Sequence, residues 1–238
     1  MSTPDDVGLG ELRRAGSSAL AFNAPLSESR ARESMAFLGS NVPRTAVDLG
    51  CGTGRYLCMF AAAEPQLQGL GIDNDRQRVE LARRAAAEAG LDTRLEFVVG
   101  DALSYQTEAD AAICIGSSHA CGGTSSMFER LAKVCSHGVA VVGDAIWASE
   151  PDEWCRAAFG DVPDGIAQLV ALAGRFGWTV DDASVSSSDE WDHFERAWCR
   201  GVEAVGTERA RLLAHERALE YEQRYRGILG FGWLYLHR

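Results

Sequence analysis

The sequence predicts an α/β protein with a Rossmann-like, doubly wound sheet, mostly parallel and covered by helices on both faces. Three observations carry this. Short, nearly continuous apolar runs alternate with longer segments of helical periodicity, as strands buried on both faces do. The first run, TAVDLG, passes straight into three alternating glycines, Gly50, Gly52 and Gly54. The first three runs each end on or beside an acid: Asp48, Asp73 and Asp101.

The elements follow in order. Residues 1–20 are rich in glycine, serine and charge and predict a mobile N-terminal segment. A cap helix is expected within 21–40, with Ser27 as its N-cap. The strand TAVDLG comes next, then a helix over RYLCMFAAAE, the strand LQGLGID, and the helix RQRVELARRAAAEAG, stopped by a glycine. RLEFVVGD and ADAAICIGSS are the third and fourth strands. SSMFERLAKVCSHG is a helix and VAVVGDAIW the fifth strand. After Pro151 come a helix in DGIAQLVALAGRFG, a strand in WTVDDASVS, two helices over 188–227, and a last strand in ILGFGWLYLHR. Residues 21–238 read as one domain, with 45–145 as its cofactor-binding half and 146–238 as substrate-side helices and closing strands.

Composition narrows the function classes. The chain has 238 residues, 46% of them hydrophobic, and no apolar run long enough to span a bilayer. Its N-terminus lacks the apolar stretch of a secretory signal, so a cytoplasmic protein without membrane contact is expected. The formal net charge of -11 disfavours nucleic acid as a partner and suits a neutral or cationic small molecule. The seven cysteines form no C-x-x-C pair, which predicts neither a disulfide framework nor a metal site. A monomer or homodimer is expected.

In a parallel sheet, ligands bind beyond the carboxyl ends of the strands. Gly50 permits the sharp turn there, Gly52 leaves room for a ligand against the backbone, and Gly54 lets the next helix pack closely. Asp73, about twenty residues on, is placed to grip ribose hydroxyls. A dinucleotide turn wants its third glycine at position 55, where this chain has Arg55. A pyrophosphate also disfavours a neighbouring acid such as Asp48, whereas a ligand bearing an ammonium group suits it. Asp101 can accept a hydrogen bond from an adenine amino group.

VDLGCGTGRY, GLGIDND and VVGDALSY resemble the first motifs of class I S-adenosylmethionine-dependent methyltransferases, over about residues 22–145. The resemblance implies S-adenosyl-L-methionine as cofactor, with S-adenosyl-L-homocysteine as product, and a sheet of order 3-2-1-4-5-7-6 whose closing strand is antiparallel. It places the methionine portion on Asp48 and the backbone of Gly50 and Gly52, the ribose on Asp73 with Asn74 at its edge, and the adenine on Asp101 and the Ala102 backbone, with Cys51 and Ile115 as further candidate cofactor-binding residues. FNAPLSES, CIGSSHACGG, GDAIW and SSDEWDHFE are further similar to a bacterial group of small-molecule methyltransferases of largely unassigned substrate. Where that group usually carries Glu ahead of the fifth-strand Trp, this chain has Asp144.

Methyl transfer needs alignment and exclusion of water more than strong acid–base chemistry. His119 follows the fourth strand and is a candidate base for an amine or hydroxyl nucleophile, or else a residue that orients the acceptor. Asp144 is a candidate partner for a substrate ammonium. Phe22, Trp147, Trp191 and Tyr221 are candidate walls of the acceptor site. For Trp147 the alternative is core packing, as it is for the stripe Trp191, Phe194 and Trp198 at helical spacing. These residues predict N- or O-methylation of a small molecule. C-methylation of an electron-rich aromatic, a nicotinamide-dependent oxidoreductase and a non-catalytic cofactor-binding protein are the alternatives.

Overall fold

A computed structural model describes residues 7–238; the first six residues of the expected N-terminal segment lie outside them. The elements are α1 (Leu9–Ser18), α2 (Glu28–Ser40), β1 (Thr45–Leu49), α3 (Arg55–Ala63), β2 (Gln68–Asp73), α4 (Arg76–Glu88), β3 (Leu95–Val99) and β4 (Ala111–Ile115). They continue with α5 (Thr124–Val134), β5 (Val139–Trp147), α6 (Glu153–Phe159), α7 (Gly165–Arg175), β6 (Thr179–Val185), α8 (Ser188–Glu203), α9 (Glu208–Glu220) and β7 (Leu229–His237). A 3-10 turn covers Ser118–Cys121, and one π-helical turn covers Tyr221–Tyr225.

The seven strands form a single sheet of order β3-β2-β1-β4-β5-β7-β6. The pairs from β3 through β5 are parallel, and β7 runs antiparallel between β5 and β6. This is the expected topology. The apolar runs look continuous because alternate residues serve opposite faces. Ile113 and Val141 enter one core, while Cys114 and Val142 enter the other. Each fully buried side chain of this size contributes about 1.5–3 kcal/mol. The strand order reverses between β1 and β4, which opens a crevice at their carboxyl ends.

Helix ends follow local chemistry. Ser27 caps α2 by accepting from the Arg30 N–H at 3.3 Å, and Asp75 caps α4 through Gln77 and Arg78. Ser187 and Glu190 form a reciprocal capping box at the start of α8. Glu190 also reaches α2. Its carboxylate accepts from the Ser27 hydroxyl at 2.7 Å and from the Arg30 guanidinium at 3.0 Å. Ser186 donates to the Pro25 carbonyl and accepts from the Trp233 indole, both at 2.7 Å. Two motifs far apart in sequence, FNAPLSES and SSDEWDHFE, are therefore bonded to each other. They hold residues 22–27 at the end of the sheet, where the Asn23 carbonyl lies beside Gly116.

The expectation of a mobile segment over residues 1–20 is corrected for residues 9–18, which form α1. Leu12 is fully buried in a small core with Trp198, Val202, Ala210 and Ala214. A Cβ on Gly16 would come within 2.5 Å of the Trp198 ring, and one on Gly201 within 2.8 Å of the Ala15 carbonyl. The backbone of α1 thus lies directly on α8. Short α6 was not expected from the sequence; Asp152 caps it by accepting from the Cys155 N–H at 2.8 Å.

Candidate functional site

The crevice is a cavity of about 630 Å³ at the carboxyl ends of β1 to β4, with α1 and residues 20–26 on its far wall. Its floor is the turn after β1. The Gly50 and Cys51 N–H groups both donate to the Ile72 carbonyl, at 2.8 and 3.0 Å, which fastens the turn to β2. Gly50 has φ +79°, and a Cβ there would meet Ser117 at 2.4 Å. Gly52 has φ +55° and faces open space, with nothing within 4 Å of where its Cβ would stand. A ligand can therefore rest against this backbone.

Asp48 and Asp73 behave differently. The Asp73 carboxylate accepts from the Gly52 N–H and from the Asp75 N–H, both at 2.9 Å. Asp48 is only 4% exposed, yet its carboxylate accepts no hydrogen bond from the described residues and faces the cavity. Burial, with the nearby charge of Asp73, pushes the Asp48 carboxyl up to about 8. An acid that is buried, unpartnered and open only to a cavity is a recognition point for a cation.

The remaining walls are set by the next two strands. Asn74 follows β2 and stands exposed on the cavity rim. Asp101 lines the cavity, but its carboxylate also braces its own turn, accepting from the Leu103 N–H at 3.0 Å and the Ser104 hydroxyl at 2.8 Å. Those bonds hold its pKa below the usual carboxylate range. Buried Arg130 of α5 steadies the same loop by donating to the Ala102 carbonyl at 2.8 Å and to the Tyr105 carbonyl. Ala102 and Ile115 complete that side, and all nine residues expected to hold the cofactor line this one cavity.

The acceptor-side expectations divide. His119 and Phe22 line the cavity, with His119 exposed. Trp147, Trp191 and Tyr221 do not line it and are corrected to core positions. Trp147 packs edge-on against Phe159, and Trp191 against Phe194. The Tyr221 hydroxyl donates to Asp192 at 2.6 Å. All three belong to one core cluster, so their large surfaces are used in burial. Asp144 also lies outside the lining. It is 4% exposed, and its two oxygens accept from the Ser118 hydroxyl at 2.8 Å and the Thr124 hydroxyl at 2.6 Å. A direct contact of Asp144 with a substrate ammonium is therefore corrected as well.

Other lining residues were not singled out from sequence. Tyr56 is buried, with its hydroxyl 2.6 Å from that of Ser34. Arg14 and Glu11 come from α1. The four-residue spacing of Leu12 and Gly16 was the available signal for α1, masked by its polar neighbours. Arg55 is exposed, as its position suggested, and it pairs with Glu28 at 3.3 Å while lying over the Phe22 ring.

Residues 46–138 match a family model described as a methyltransferase domain. A solved SAM-dependent methyltransferase from Geobacter sulfurreducens, bound to S-adenosyl-L-homocysteine, is similar over 98% of this chain and 100% of its own. It shares 26% of residues, with a TM-score of 0.80. Residues 46–138 thus carry a methyltransferase domain, set in a fold shared with solved S-adenosylmethionine-dependent methyltransferases. The same fold recurs in a SAM-dependent methyltransferase from Thiobacillus denitrificans, also bound to S-adenosyl-L-homocysteine, with TM-score 0.82 and 24% identity over 98% of this chain and 100% of its own. The protein YjhP of Escherichia coli (strain K12) is 30% identical over 159 residues, 63% of this chain. That match spans 64% of YjhP's own length. The cavity of this domain presents an open backbone cradle at Gly52, a buried acid at Asp48 without a hydrogen-bond partner among the described residues, and Asp73 beside them.

Proposed function

We propose that this protein transfers the methyl group of S-adenosylmethionine to a nitrogen or oxygen of a small molecule. The observation that carries the reading is Asp48, a buried carboxylate with no hydrogen-bond partner among the described residues, aimed into a cavity floored by an open glycine turn. The ammonium of the cofactor's methionine portion would supply the missing countercharge. Asp73 would take the ribose hydroxyls, with Asn74 at the ribose edge. Asp101 and the Ala102 backbone would face the adenine, with Ile115 against the ring. When bound, the cofactor supplies a methyl group already activated by a positive sulfur.

The chain's own residues then align and enclose. Phe22 and the 22–27 segment, fastened to α8, exclude water from the methyl end. His119 stands beside that end, where its imidazole accepts the proton an amine or hydroxyl gives up. The acceptor is small, because a cavity of about 630 Å³ lies within the usual range for one drug-sized ligand, and the cofactor takes most of it. The wall formed by α1, together with the net charge of -11, favours such an acceptor over a nucleic acid.

Calorimetry with S-adenosyl-L-homocysteine, followed by incubation of methyl-labelled cofactor with amines, phenols and carboxylic acids, tests the reading. Saturable binding and label transfer to at least one nitrogen or oxygen acceptor are expected. Saturable binding of a nicotinamide dinucleotide, with none of S-adenosyl-L-homocysteine, would overturn it.

A further inference from the structure

His119 has a defined position only if its loop does. Residues 117–123 read Ser-Ser-His-Ala-Cys-Gly-Gly, and among them only Ser117 and Cys121 are buried. Gly122 and Gly123 take positive φ values, +81° and +112°, and the turn closes on itself through Ala120 N–H to the Ser117 carbonyl at 2.9 Å and Gly123 N–H to the Ser118 carbonyl at 2.9 Å. Side-chain bonds tie this turn to the sheet. On one flank the Ser117 hydroxyl donates to the Gly50 carbonyl at 3.1 Å. Two further side-chain bonds converge on one group. The Ser118 hydroxyl, from the residue just before His119, donates to one oxygen of Asp144 at 2.8 Å. The Thr124 hydroxyl, at the first residue of α5, donates to the other at 2.6 Å.

Asp144 lies within β5, paired with Gly232 of β7, so its backbone is fixed in the sheet. Burying a carboxylate is costly unless each oxygen is hydrogen-bonded, and here each oxygen has a hydroxyl from one end of the same loop. Burial pushes the Asp144 carboxyl up, and the Thr124 and Ser118 hydroxyls pull the other way. We propose that Asp144 is a positioning residue: a clip on β5 that fixes both ends of the 117–124 loop and so holds the His119 imidazole at the methyl end of the cavity. The proposal rests on the acceptor-side reading of His119 for its functional meaning. Its geometric half stands independently. An isosteric amide is a weaker clip, because its oxygen accepts from one hydroxyl while its nitrogen donates to the other, and both bonds lose the carboxylate's charge.

The loop measurements use the full chain with S-adenosyl-L-homocysteine as the only ligand. In Asp144→Asn, amide hydrogen exchange over residues 118–123 is expected to quicken by about tenfold, the effect of exchanging two charge-assisted bonds for neutral ones. Exchange in β1 and β2 and the affinity for S-adenosyl-L-homocysteine should stay within about twofold. The His119 ring resonances should move toward those of a free, averaging imidazole. S118A and T124V should each reproduce part of the effect, and they keep the proposal testable if the Asn variant folds poorly. Unchanged loop exchange and unchanged His119 resonances in these variants would overturn the proposal, as would an equal quickening throughout the sheet. His119→Ala should leave loop exchange as in the parent and slow methyl transfer to the acceptor found in the labelled panel. A fully active His119→Ala would overturn the functional half alone, so the two failures are told apart.

Discussion

At the scale of single residues, two acids on adjacent strands have opposite fates. Asp73 has its oxygens occupied by the backbone it organises, whereas the Asp48 carboxylate has no hydrogen-bond partner among the described residues. Asp48→Asn should therefore weaken binding of S-adenosyl-L-homocysteine by about 1.5–3 kcal/mol, roughly 10- to 150-fold, as measured by calorimetry. An affinity within about twofold of the parent would show that another group reads the ammonium. Asp73→Ala should weaken binding by at least as much, because it removes a ribose partner and also frees the Gly52 N–H that fixes the turn. The two aspartates were legible in sequence because they sit at strand ends beside glycines. Their different partners were not legible, since those depend on which backbone N–H groups the folded turn brings within reach. Trp147, Trp191 and Tyr221 show the same limit. An aromatic residue near a strand end, or in a helical stripe, has the same local sequence whether its ring faces a cavity or a core.

At the scale of elements, α1 and α5 shape the site more than their sequences advertise. The backbone contact of α1 with α8 leaves no space for a side chain at position 16. Gly16→Leu should strain that contact by about 1–3 kcal/mol, displacing α1 from the cavity wall. Stopped-flow release of S-adenosyl-L-homocysteine should then be faster, with the melting temperature lowered by a few degrees. Unchanged release would separate α1 from cofactor enclosure. Helix α5 carries Arg130, which is 6% exposed and whose guanidinium holds the Ala102 and Tyr105 carbonyls. Arg130→Met keeps the bulk and removes the donors, so it should loosen the adenine-side loop. A cost of about 1–3 kcal/mol in stability is expected by denaturant titration. The alternation of strands and helices over 45–147 was readable from periodicity alone. The α1 helix was not, because only Leu12 and Gly16 are buried in its ten residues and polar side chains cover the rest.

At the scale of the whole molecule, a pocket built for a cation opposes stability when empty. Asp48 titrates at about 8 in the folded protein, against about 4 in an unfolded chain. Between those values the unfolded chain has lost this proton and the folded protein keeps it. Its contribution to stability therefore falls as pH rises through that window, by up to about 1.4 kcal/mol per pH unit, and levels off above pH 8. Below both values the group is neutral in each state and contributes nothing. The ligand-free Asp48→Asn variant should accordingly melt higher than the parent at pH 8, with the gap closing toward pH 4. The central claim is that the cofactor's ammonium meets the Asp48 carboxylate, and its most direct test is the proton count on binding. Titrating S-adenosyl-L-homocysteine into the protein at pH 7, in buffers of differing ionisation enthalpy, should show release of nearly one proton by the parent and none by Asp48→Asn. Tight binding by both with no proton released by either would contradict it.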